Sequence, residues 1–244
     1  MVPWTKKYAP KSSKELSGQD PAIQQIRDFI LNFKKQKKKA MLLYGPSGTG
    51  KTSAVHAIAK ENNLEIVEVN ASDTRNSEQI LAVLGNAIKQ QSLFSKGKVI
   101  LVDEVDGIAG QQDRGGVQAL AKLIEKPAFP VILAANNPWD NKFSSLRSKT
   151  TMVQFMALDY LTIYRQLKRI CAEEKIKAED DLLKNIARRS GGDMRSAIND
   201  LQSMGEISAE SVQELSDRDR TESVMQALMK VFKTTQPDIA LPAF

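Results

Sequence analysis

The amino-acid sequence predicts an α/β fold, in which helices cover both faces of a parallel sheet and a small all-helical domain follows. Three observations support this prediction. Short apolar runs alternate with segments of helical periodicity up to about residue 156, as in βαβ units. Beyond that point the apolar residues keep helical spacing, and no strand pattern appears. A glycine-rich motif, residues 45–52, joins the first apolar run to the helix that follows it.

Each predicted element rests on its own pattern. The first helix has apolar residues at helical spacing, and the first strand is a short apolar run that ends at the glycine-rich motif. The predicted strands are 40–44, 64–69, 98–102 and 130–135. The predicted helices are 21–33, 52–60, 78–91, 116–125, 158–174, 178–190, 193–204 and 208–215, with another helix starting over 219–232. Proline and glycine interrupt residues 1–20, so we expect an extended arm there.

Composition excludes several classes of protein. The chain has 244 residues, and no apolar run approaches the roughly 20 residues that span a bilayer. The first residues lack the apolar segment of a secretory signal, so we expect no membrane partner. One cysteine, Cys171, excludes an intrachain disulfide and a cysteine metal cluster, which fits a reducing, cytoplasmic setting. The net charge of +6 weakly indicates a polyanionic partner, and the lysine-rich segment 34–39 is either a solvated loop or a nucleic-acid patch.

The glycine-rich motif has the G-x-x-x-x-G-K-T pattern of nucleoside triphosphatases. Its glycines allow backbone N–H groups to surround phosphate oxygens, and the following helix directs its N-terminus at them. We expect Lys51 to contact the β and γ phosphates and the Thr52 hydroxyl to bind Mg²⁺. ATP or ADP and Mg²⁺ are therefore the predicted ligands, and the alternative is a chance glycine-rich turn. The residues assigned to nucleotide binding here are Gly45, Pro46, Ser47, Gly48, Thr49, Gly50, Lys51 and Thr52.

Two carboxylates follow the third predicted strand. Asp103 and Glu104 come directly after four apolar residues, so the strand delivers them to the carboxyl edge of the sheet, beside the phosphate loop. Asp103 is the predicted Mg²⁺ residue, and Glu104 is the predicted general base that orients and deprotonates the attacking water. The alternative is an ordinary acidic turn, but the preceding phosphate loop favours the functional interpretation.

Two further residues are predicted to reach the terminal phosphate. Asn136 ends the fourth strand, where its amide would hydrogen-bond the attacking water, although an Asn-Asn-Pro turn explains the same residues. The segment 191–195, Gly-Gly-Asp-Met-Arg, ends one helix and begins the next, with Asp193 as its cap. Arg195 then lies in the first turn, where a cation is unfavourable unless an anion compensates. A nucleotide phosphate at the domain interface is the predicted anion.

These motifs, in this order, resemble the AAA+ ATPases. More narrowly, residues 4–10 resemble the W-x-x-K-Y-x-P arm of clamp-loader ATPases, and residues 17–19 resemble the G-Q element that follows it. Residues 70–75 resemble the N-A-S-D-x-R segment of replication factor C, and 113–116 the D-R-G-G element of its large subunit. The resemblance covers roughly residues 1 to 215 and is closest to the large-subunit family in its archaeal form.

The resemblance implies a domain order, a function and partners. The domains are an arm (1–20), an AAA+ ATPase domain (21–156), a helical lid (157–216) and the start of a truncated collar domain or tail (217–244). The implied function is an ATPase subunit that opens a sliding clamp and loads it onto primer–template DNA, in a nucleoid-associated, prokaryotic setting. The implied partners are the small subunits of replication factor C, the sliding clamp and DNA. The adenine-side residues that the resemblance adds are Val2, Tyr8, Pro10 and Gln19.

Contacts with DNA and clamp are assigned to separate segments. A helix beginning near Arg114 is predicted to approach a DNA phosphate through its N–H groups, with a simple glycine turn as the equal alternative. Leu93 and Phe94 loosely resemble clamp-binding peptides, and burial against this domain's own helix is the alternative. The residues assigned to DNA are Arg75, Arg114, Gly115 and Gly116.

The sequence departs from the family pattern in two places. The arm lacks the family's usual glutamate at Thr5 or Lys6, which leaves adenine-side contacts less secure. Lys149 stands where small subunits carry an arginine finger, and Arg147 lies two residues early. We therefore expect this chain to receive a finger from a neighbour and to donate none. Two other functions stay open, a different AAA+ repair or recombination ATPase and a non-hydrolysing nucleotide-binding scaffold.

Overall fold

A computed structural model describes residues 2–71, 85, 97–109 and 116–204. Within these residues the chain forms a parallel sheet with helices on both faces and a further group of helices, as the sequence predicts. The strands are β1 (Ala40–Tyr44), β2 (Glu65–Asn70), β3 (Lys98–Asp103), β4 (Val131–Ala135) and β5 (Thr150–Gln154). The α-helices are α1 (Trp4–Lys7), α2 (Asp20–Leu31), α3 (Lys51–Glu61), α4 (Gly116–Leu123), α5 (Ser144–Lys149), α6 (Tyr160–Glu174), α7 (Asp180–Arg189) and α8 (Met194–Ser203).

The sheet order is β2-β3-β4-β1-β5, and all paired strands are parallel. The three central strands carry continuous apolar runs because both of their faces are covered, whereas the edge strand β2 is partly exposed. Strand β5 is not predicted from the sequence. Its residues, Thr-Thr-Met-Val-Gln, are mixed in polarity because this strand lies at the other edge of the sheet.

Successive side chains of β1 enter opposite layers of the core. Leu42 packs in the layer formed with α4 and α5, which includes Leu120 and Leu146. Leu43 packs in the layer formed with α2 and α3, which includes Phe29 and Ile58. Both layers are closed to solvent, so the sheet gives a rigid base for the loops at its carboxyl edge.

The helical region, defined here as α6 to α8, has its own apolar core. Ile163, Leu167, Leu183 and Leu201 are buried in it, and Cys171 lies among them as a small core residue. Burial raises the pKa of the Cys171 thiol. No helix in the described ranges combines the length and the apolar character that crossing a membrane requires.

The N-terminal segment differs from the predicted extended arm. Its residues Trp4–Lys7 form one helical turn, and Ser13–Glu15 form a 3₁₀ turn. Trp4 and Tyr8 are four residues apart, so they share one face of the turn and pack edge to face, with ring centroids 6.3 Å apart. Both contact the core of the helical region. The backbone N–H of Trp4 also donates to Oε1 of Gln202 in α8, at 2.8 Å.

Candidate nucleotide site

A cavity of about 230 Å³ lies between the carboxyl edge of the sheet, the N-terminal segment and the first turn of α8. The sequence-predicted residues that line it come from all three parts of the structure. They are Tyr8, Pro10, Gln19, Ser47, Gly48, Thr49, Gly50, Lys51, Thr52, Asp103, Glu104, Asn136 and Arg195. The fold therefore brings most of the predicted site residues to one place.

The sheet register explains why the catalytic candidates meet. Tyr44, the last residue of β1, pairs with Ala135, so Asn136 emerges beside the start of the phosphate loop. Val102 pairs with Leu133, so Asp103 and Glu104 leave β3 on the other side of β4 at nearly the same height. Parallel strands thus place the phosphate loop, the two acids and the asparagine at a single edge.

Two glycines of the phosphate loop are required by its shape. Gly45 has a φ of +142°, and a Cβ there would lie 2.1 Å from the carbonyl oxygen of Phe155. Gly50 has a φ of +96° and is the residue from which the chain enters α3. These left-handed conformations favour glycine, and they let the loop turn tightly enough to direct the N-terminus of α3 into the cavity.

Lys51 lies inside the loop with its ammonium group fully engaged. Its Nζ donates to the carbonyl oxygens of Gly45 and Pro46, both at 2.7 Å, and to Oδ1 of Asn136 at 3.1 Å. Only 9% of Lys51 is exposed, and this burial lowers the pKa of its ammonium, while the nearby carboxylates of Asp103 and Asp106 oppose the change. The charge is thus held beneath the loop, at the position from which it can meet a phosphate.

The magnesium candidates contact each other directly. The Thr52 hydroxyl donates to Oδ2 of Asp103 at 2.6 Å, across the gap between α3 and β3. A hydroxyl and a carboxylate are oxygen ligands of the kind that Mg²⁺ prefers, with water and phosphate oxygens completing its shell. The described residues contain no cluster of three or more acids or histidines that could hold a metal alone. This donor set therefore fits Mg²⁺ that arrives with a nucleotide.

Glu104 adopts an unusual backbone conformation for a residue with a side chain. Its φ is +51°, and its N–H donates to Oδ1 of Asp103 at 2.8 Å. A left-handed glutamate costs free energy of about 1–3 kcal/mol, and such conformations cluster at functional sites. Here the conformation turns the chain sharply after β3 and leaves the Glu104 side chain exposed at the cavity.

Asp106 was not singled out by the sequence analysis, yet it orders the site. Its Oδ2 accepts a hydrogen bond of 2.6 Å from the backbone N–H of Asn136. The carboxylate thereby fixes the turn that carries the Asn136 side chain toward Lys51. The residue lies in an ordinary acidic stretch after β3, so only its position in the fold distinguishes it.

The arm residues that were assigned to the adenine side differ in their position relative to the cavity. Gln19 is 3% exposed and holds the backbone of Met156 through two hydrogen bonds, from Nε2 to the carbonyl oxygen and from the Met156 N–H to Oε1. Tyr8 lines the cavity and donates from its hydroxyl to Oε1 of Glu174 at 2.6 Å. Burial, followed by this bond to Glu174, raises the pKa of the Tyr8 hydroxyl. Val2, by contrast, is 61% exposed and does not line the cavity.

Arg195 faces the cavity from the first turn of α8 and is exposed. Asp193 caps that turn by accepting from the N–H of Ser196 at 2.9 Å. The same carboxylate accepts from the Ser47 hydroxyl at 2.7 Å. The sequence analysis predicted the cap but not this second contact, which joins the helical region to the phosphate loop.

The remaining predicted contacts lie mostly outside the described residues. Gly116 is described and is buried at the start of α4, and its contact with DNA stays a prediction. The others keep the status of predictions; they are Arg75, Leu93, Phe94, Arg114 and Gly115, together with the helices predicted over 78–91, 208–215 and 219–232.

Comparison with known proteins identifies the family of the chain. The model of the "ATPase family associated with various cellular activities (AAA)" matches residues 41–160. The model of the "RCF1/5-like, AAA+ ATPase lid domain" matches residues 165–205. A solved structure of an arginine-to-alanine variant of Thermotoga maritima RuvB matches with a TM-score of 0.62 and 22% identity, covering 80% of this chain and 64% of that chain. At that identity the likeness shows the fold alone.

Curated relatives narrow the family. The replication factor C large subunit of Nanoarchaeum equitans is 46% identical over 247 residues, which cover 100% of this chain and 57% of the relative. The protein of the same name from Staphylothermus marinus is 47% identical, over 95% of this chain and 56% of the relative. The chain thus spans less than two thirds of these relatives' length. By its two family models and these relatives, the chain belongs to the AAA ATPases and, among them, to the replication factor C large subunits.

Proposed function

We propose that this chain binds and hydrolyses ATP in the cavity, as the ATPase subunit of a clamp loader that opens a sliding clamp and loads it onto primer–template DNA. The observation that carries the proposal is the convergence of Lys51, Thr52, Asp103, Glu104 and Asn136 on one cavity that Arg195 also faces. These side chains supply the charge, the metal ligands, the base and the amide that phosphoryl transfer to water requires.

Nucleotide binding begins at the phosphate loop. Backbone N–H groups at the N-terminus of α3 receive phosphate oxygens, and Lys51 exchanges its carbonyl partners for them. Its bond to Asn136 keeps the ammonium directed toward the end of β4 during this exchange. Thr52 and Asp103 hold Mg²⁺, which neutralises charge on the phosphates when it is bound.

Hydrolysis then depends on Glu104 and Asn136. The Asn136 amide orients a water molecule in line with the terminal phosphorus, and the Glu104 carboxylate accepts a proton from that water as its oxygen attacks. The bond between the β–γ bridging oxygen and the terminal phosphorus breaks, giving ADP and inorganic phosphate. Lys51 and Arg195 stabilise the charge on the phosphate oxygens from opposite sides of the cavity.

A steady-state ATPase assay on the chain with its assembly partners tests this assignment. Lys51→Ala is expected to abolish detectable ATP binding. Glu104→Gln is expected to keep ATP binding and to lose turnover by about 10²–10⁴-fold, the usual contribution of a positioned base. Glu179→Gln, at an exposed acid outside the cavity, is the matched control and should turn over normally. Wild-type turnover by Glu104→Gln would overturn the base assignment.

The clamp-loading part of the proposal is supported by the names of the relatives, which are replication factor C large subunits. Small subunits of that factor, a sliding clamp and DNA are its proposed partners. ATP binding would stabilise the state that opens the clamp, and hydrolysis would release clamp and DNA. The two alternative functions, a non-hydrolysing scaffold and another AAA+ ATPase, predict different results in the same ATPase assay. A scaffold would not hydrolyse ATP, and another AAA+ ATPase would show no stimulation by clamp and primed DNA together.

A further inference from the structure

The Asp193 carboxylate bonds to two separate parts of the structure at once. Its Oδ1 accepts from the N–H of Ser196 at 2.9 Å, which caps α8, and its Oδ2 accepts from the Ser47 hydroxyl at 2.7 Å. Ser47 belongs to the phosphate loop, whereas Ser196 belongs to the first turn of α8. One side chain therefore connects the loop that holds phosphates with the helix that carries Arg195.

The phosphate loop is shaped to receive this carboxylate. Gly48 has a φ of +62°, and a Cβ at this position would lie 1.6 Å from Oδ1 of Asp193. The N–H of Met194 also donates to the Gly48 carbonyl oxygen at 3.2 Å. Because there is no space for a side chain between them, Gly48 and the first turn of α8 stand at a fixed separation.

This arrangement determines where Arg195 lies. Arg195 is two residues beyond Asp193 in the same helical turn, so the direction of its side chain follows the direction of that turn. A cation in the first turn opposes the helix dipole, and the Asp193 carboxylate offsets this cost. The bond to Ser47 thus sets the angle of α8 against the loop together with the backbone bond from Met194 to Gly48, and the cap contributes nothing to that angle.

We propose that Asp193 is a positioning residue, which holds α8 against the phosphate loop so that Arg195 reaches the terminal phosphate of ATP. The inference rests on the proposed function, since it needs a nucleotide in the cavity. Asp193 acts through Ser47 and Arg195 and does not itself touch the nucleotide. Asp193 should therefore matter for the binding of ATP, which offers a γ-phosphate to Arg195, and much less for the binding of ADP, which has no γ-phosphate.

Substitutions can separate the cap from the contact with the loop. Asp193→Ser keeps a good capping residue, but its side chain is too short to bond both Ser47 and Ser196. Asp193→Asn keeps both contacts, since its Oδ1 can accept from Ser196 and its amide can donate to Ser47. Ser47→Ala removes the loop contact alone. Asp159→Ser is the matched control, because Asp159 caps α6 in the same way, by accepting from Thr162, and does not line the cavity.

The measurement is the ratio of ATP to ADP affinity, by isothermal titration calorimetry of the full chain with Mg²⁺. Asp193→Ser and Ser47→Ala are each expected to lower this ratio by about fivefold, the usual worth of one hydrogen bond. The double variant should lose no more than either single variant, because both remove the same bond. Asp193→Asn and Asp159→Ser should keep the wild-type ratio.

Three results would overturn the inference. The first is a wild-type ratio in both Asp193→Ser and Ser47→Ala. The second is an equal loss of ATP and ADP affinity, which would assign Asp193 to the shape of the loop alone. The third is loss of the ratio in Asp193→Asn, which would mean that charge and not the bond is decisive.

A wild-type chain that binds neither nucleotide would be a different failure, since it removes the proposed function itself. Circular dichroism melting checks folding, and Ser47→Ala, outside the helical region, gives an answer even if Asp193→Ser does not fold.

Discussion

The hydroxyl of Thr52 donates a 2.6 Å hydrogen bond to Oδ2 of Asp103, and this bond joins the first turn of α3 to the end of β3. The two residues are far apart in sequence, and the parallel sheet alone brings them together. With the hydroxyl proton directed at Asp103, the lone pairs of the Thr52 oxygen are available to a cation on the other side. In the proposed function, the pair is therefore organised for Mg²⁺ before the ion arrives.

Replacing Thr52 is expected to remove the benefit of Mg²⁺ for nucleotide binding. In Thr52→Val the side chain keeps its shape but loses the oxygen ligand, so the gain in ATP affinity from Mg²⁺ should fall by about tenfold. Thr52→Ser, which keeps the hydroxyl, is the control. The measurement is ATP affinity with Mg²⁺ and with a chelator. An undiminished gain from Mg²⁺ in Thr52→Val would contradict the proposed ligand role.

The pH dependence of ATP affinity should reveal the burial of Lys51. Burial lowers the pKa of its ammonium below the ordinary 10.5, so the free protein loses this proton at lower pH than an exposed lysine would. Bound phosphates favour the charged form, and binding above the lowered pKa therefore requires proton uptake. Affinity should be constant on the acid side of that pKa and fall as the pH rises through it, beginning below 10.5.

The control for this titration is Lys51→Arg, whose guanidinium stays charged throughout the alkaline range. The ATP affinity of Lys51→Arg should not fall over the same pH interval. The ionisation of Lys51 affects folding stability with the opposite sign. Because the unfolded chain binds more protons than the folded chain between the two pKa values, stability gains from Lys51 as the pH rises through the folded pKa. Parallel loss of affinity in both proteins would assign the pH effect to another group.

The sequence predicts four of the five described strands to within one residue, edge strand β2 among them, but it misses edge strand β5, for a physical reason. Strands β1, β3 and β4 are buried on both faces, so their apolar runs are continuous and their predicted ends lie within one residue of the observed ends. Edge strand β5 has one less neighbour and a mixed composition, and it was missed. The helical turn at Trp4 was also missed, because only packing against the helical region stabilises so short a segment.

The residues of the candidate site also fall into two groups, those that the sequence predicts and those that it does not. Residues that touch phosphate must have particular types at fixed spacing, so Lys51 and its motif could be found in the sequence alone. Residues that act by holding others carry no such pattern. Asp106 supports Asn136 through a backbone contact, and Asp193 meets Ser47 across two parts of the fold. These contacts depend on tertiary structure, and a single sequence gives no signal for them.

The N-terminal segment should be held less tightly against the helical region at acid pH. Oε1 of Glu174 accepts from the ammonium of Lys7 and from the hydroxyl of Tyr8, and these two bonds hold the pKa of the Glu174 carboxyl below its ordinary 4.5. The stabilisation is complete above 4.5 and is lost as the pH falls through the lower, folded value. Glu174→Gln should loosen the segment at all pH values, because it removes the charged acceptor.

Tryptophan fluorescence can follow this loosening of the N-terminal segment. The chain has two tryptophans, so Trp139→Phe leaves Trp4 as the reporter. Emission from Trp4, which packs against the core of the helical region, should shift to longer wavelength as the segment loosens. Glu173→Gln, at the neighbouring acid that pairs with Arg169, is the control and should titrate as the parent does. An emission maximum in Glu174→Gln that matches the parent at every pH would refute the role of this carboxylate.

Arg147 is expected to act as a structural residue of its own domain. Its Nη1 donates to the carbonyl oxygens of Pro138 and Asp140, and its guanidinium lies 5.7 Å from the ring centre of Trp139. These contacts hold the turn that follows Asn136. Arg147→Ala should therefore lower the free energy of unfolding by about 1–2 kcal/mol, measured by denaturant titration. A change below a few tenths of a kcal/mol would show that the turn does not need this residue.

Lys149 is the other residue near the finger position, and we predict that it donates nothing to a neighbouring ATP site. It pairs with Glu125 at 2.6 Å, and its ammonium cannot make the bidentate contact that a guanidinium makes with a phosphate. A subunit that receives a finger but gives none belongs at one end of an open arc. In the assembled loader, Lys149→Ala should leave hydrolysis at every site unchanged, as should the control Lys126→Ala at an exposed lysine. Alone, the wild-type chain should hydrolyse ATP very slowly and accelerate only when small subunits supply the missing arginine. Selective loss of hydrolysis at a neighbour's site in Lys149→Ala would show that this chain does donate a cation in trans, and the end-of-arc position would have to be abandoned.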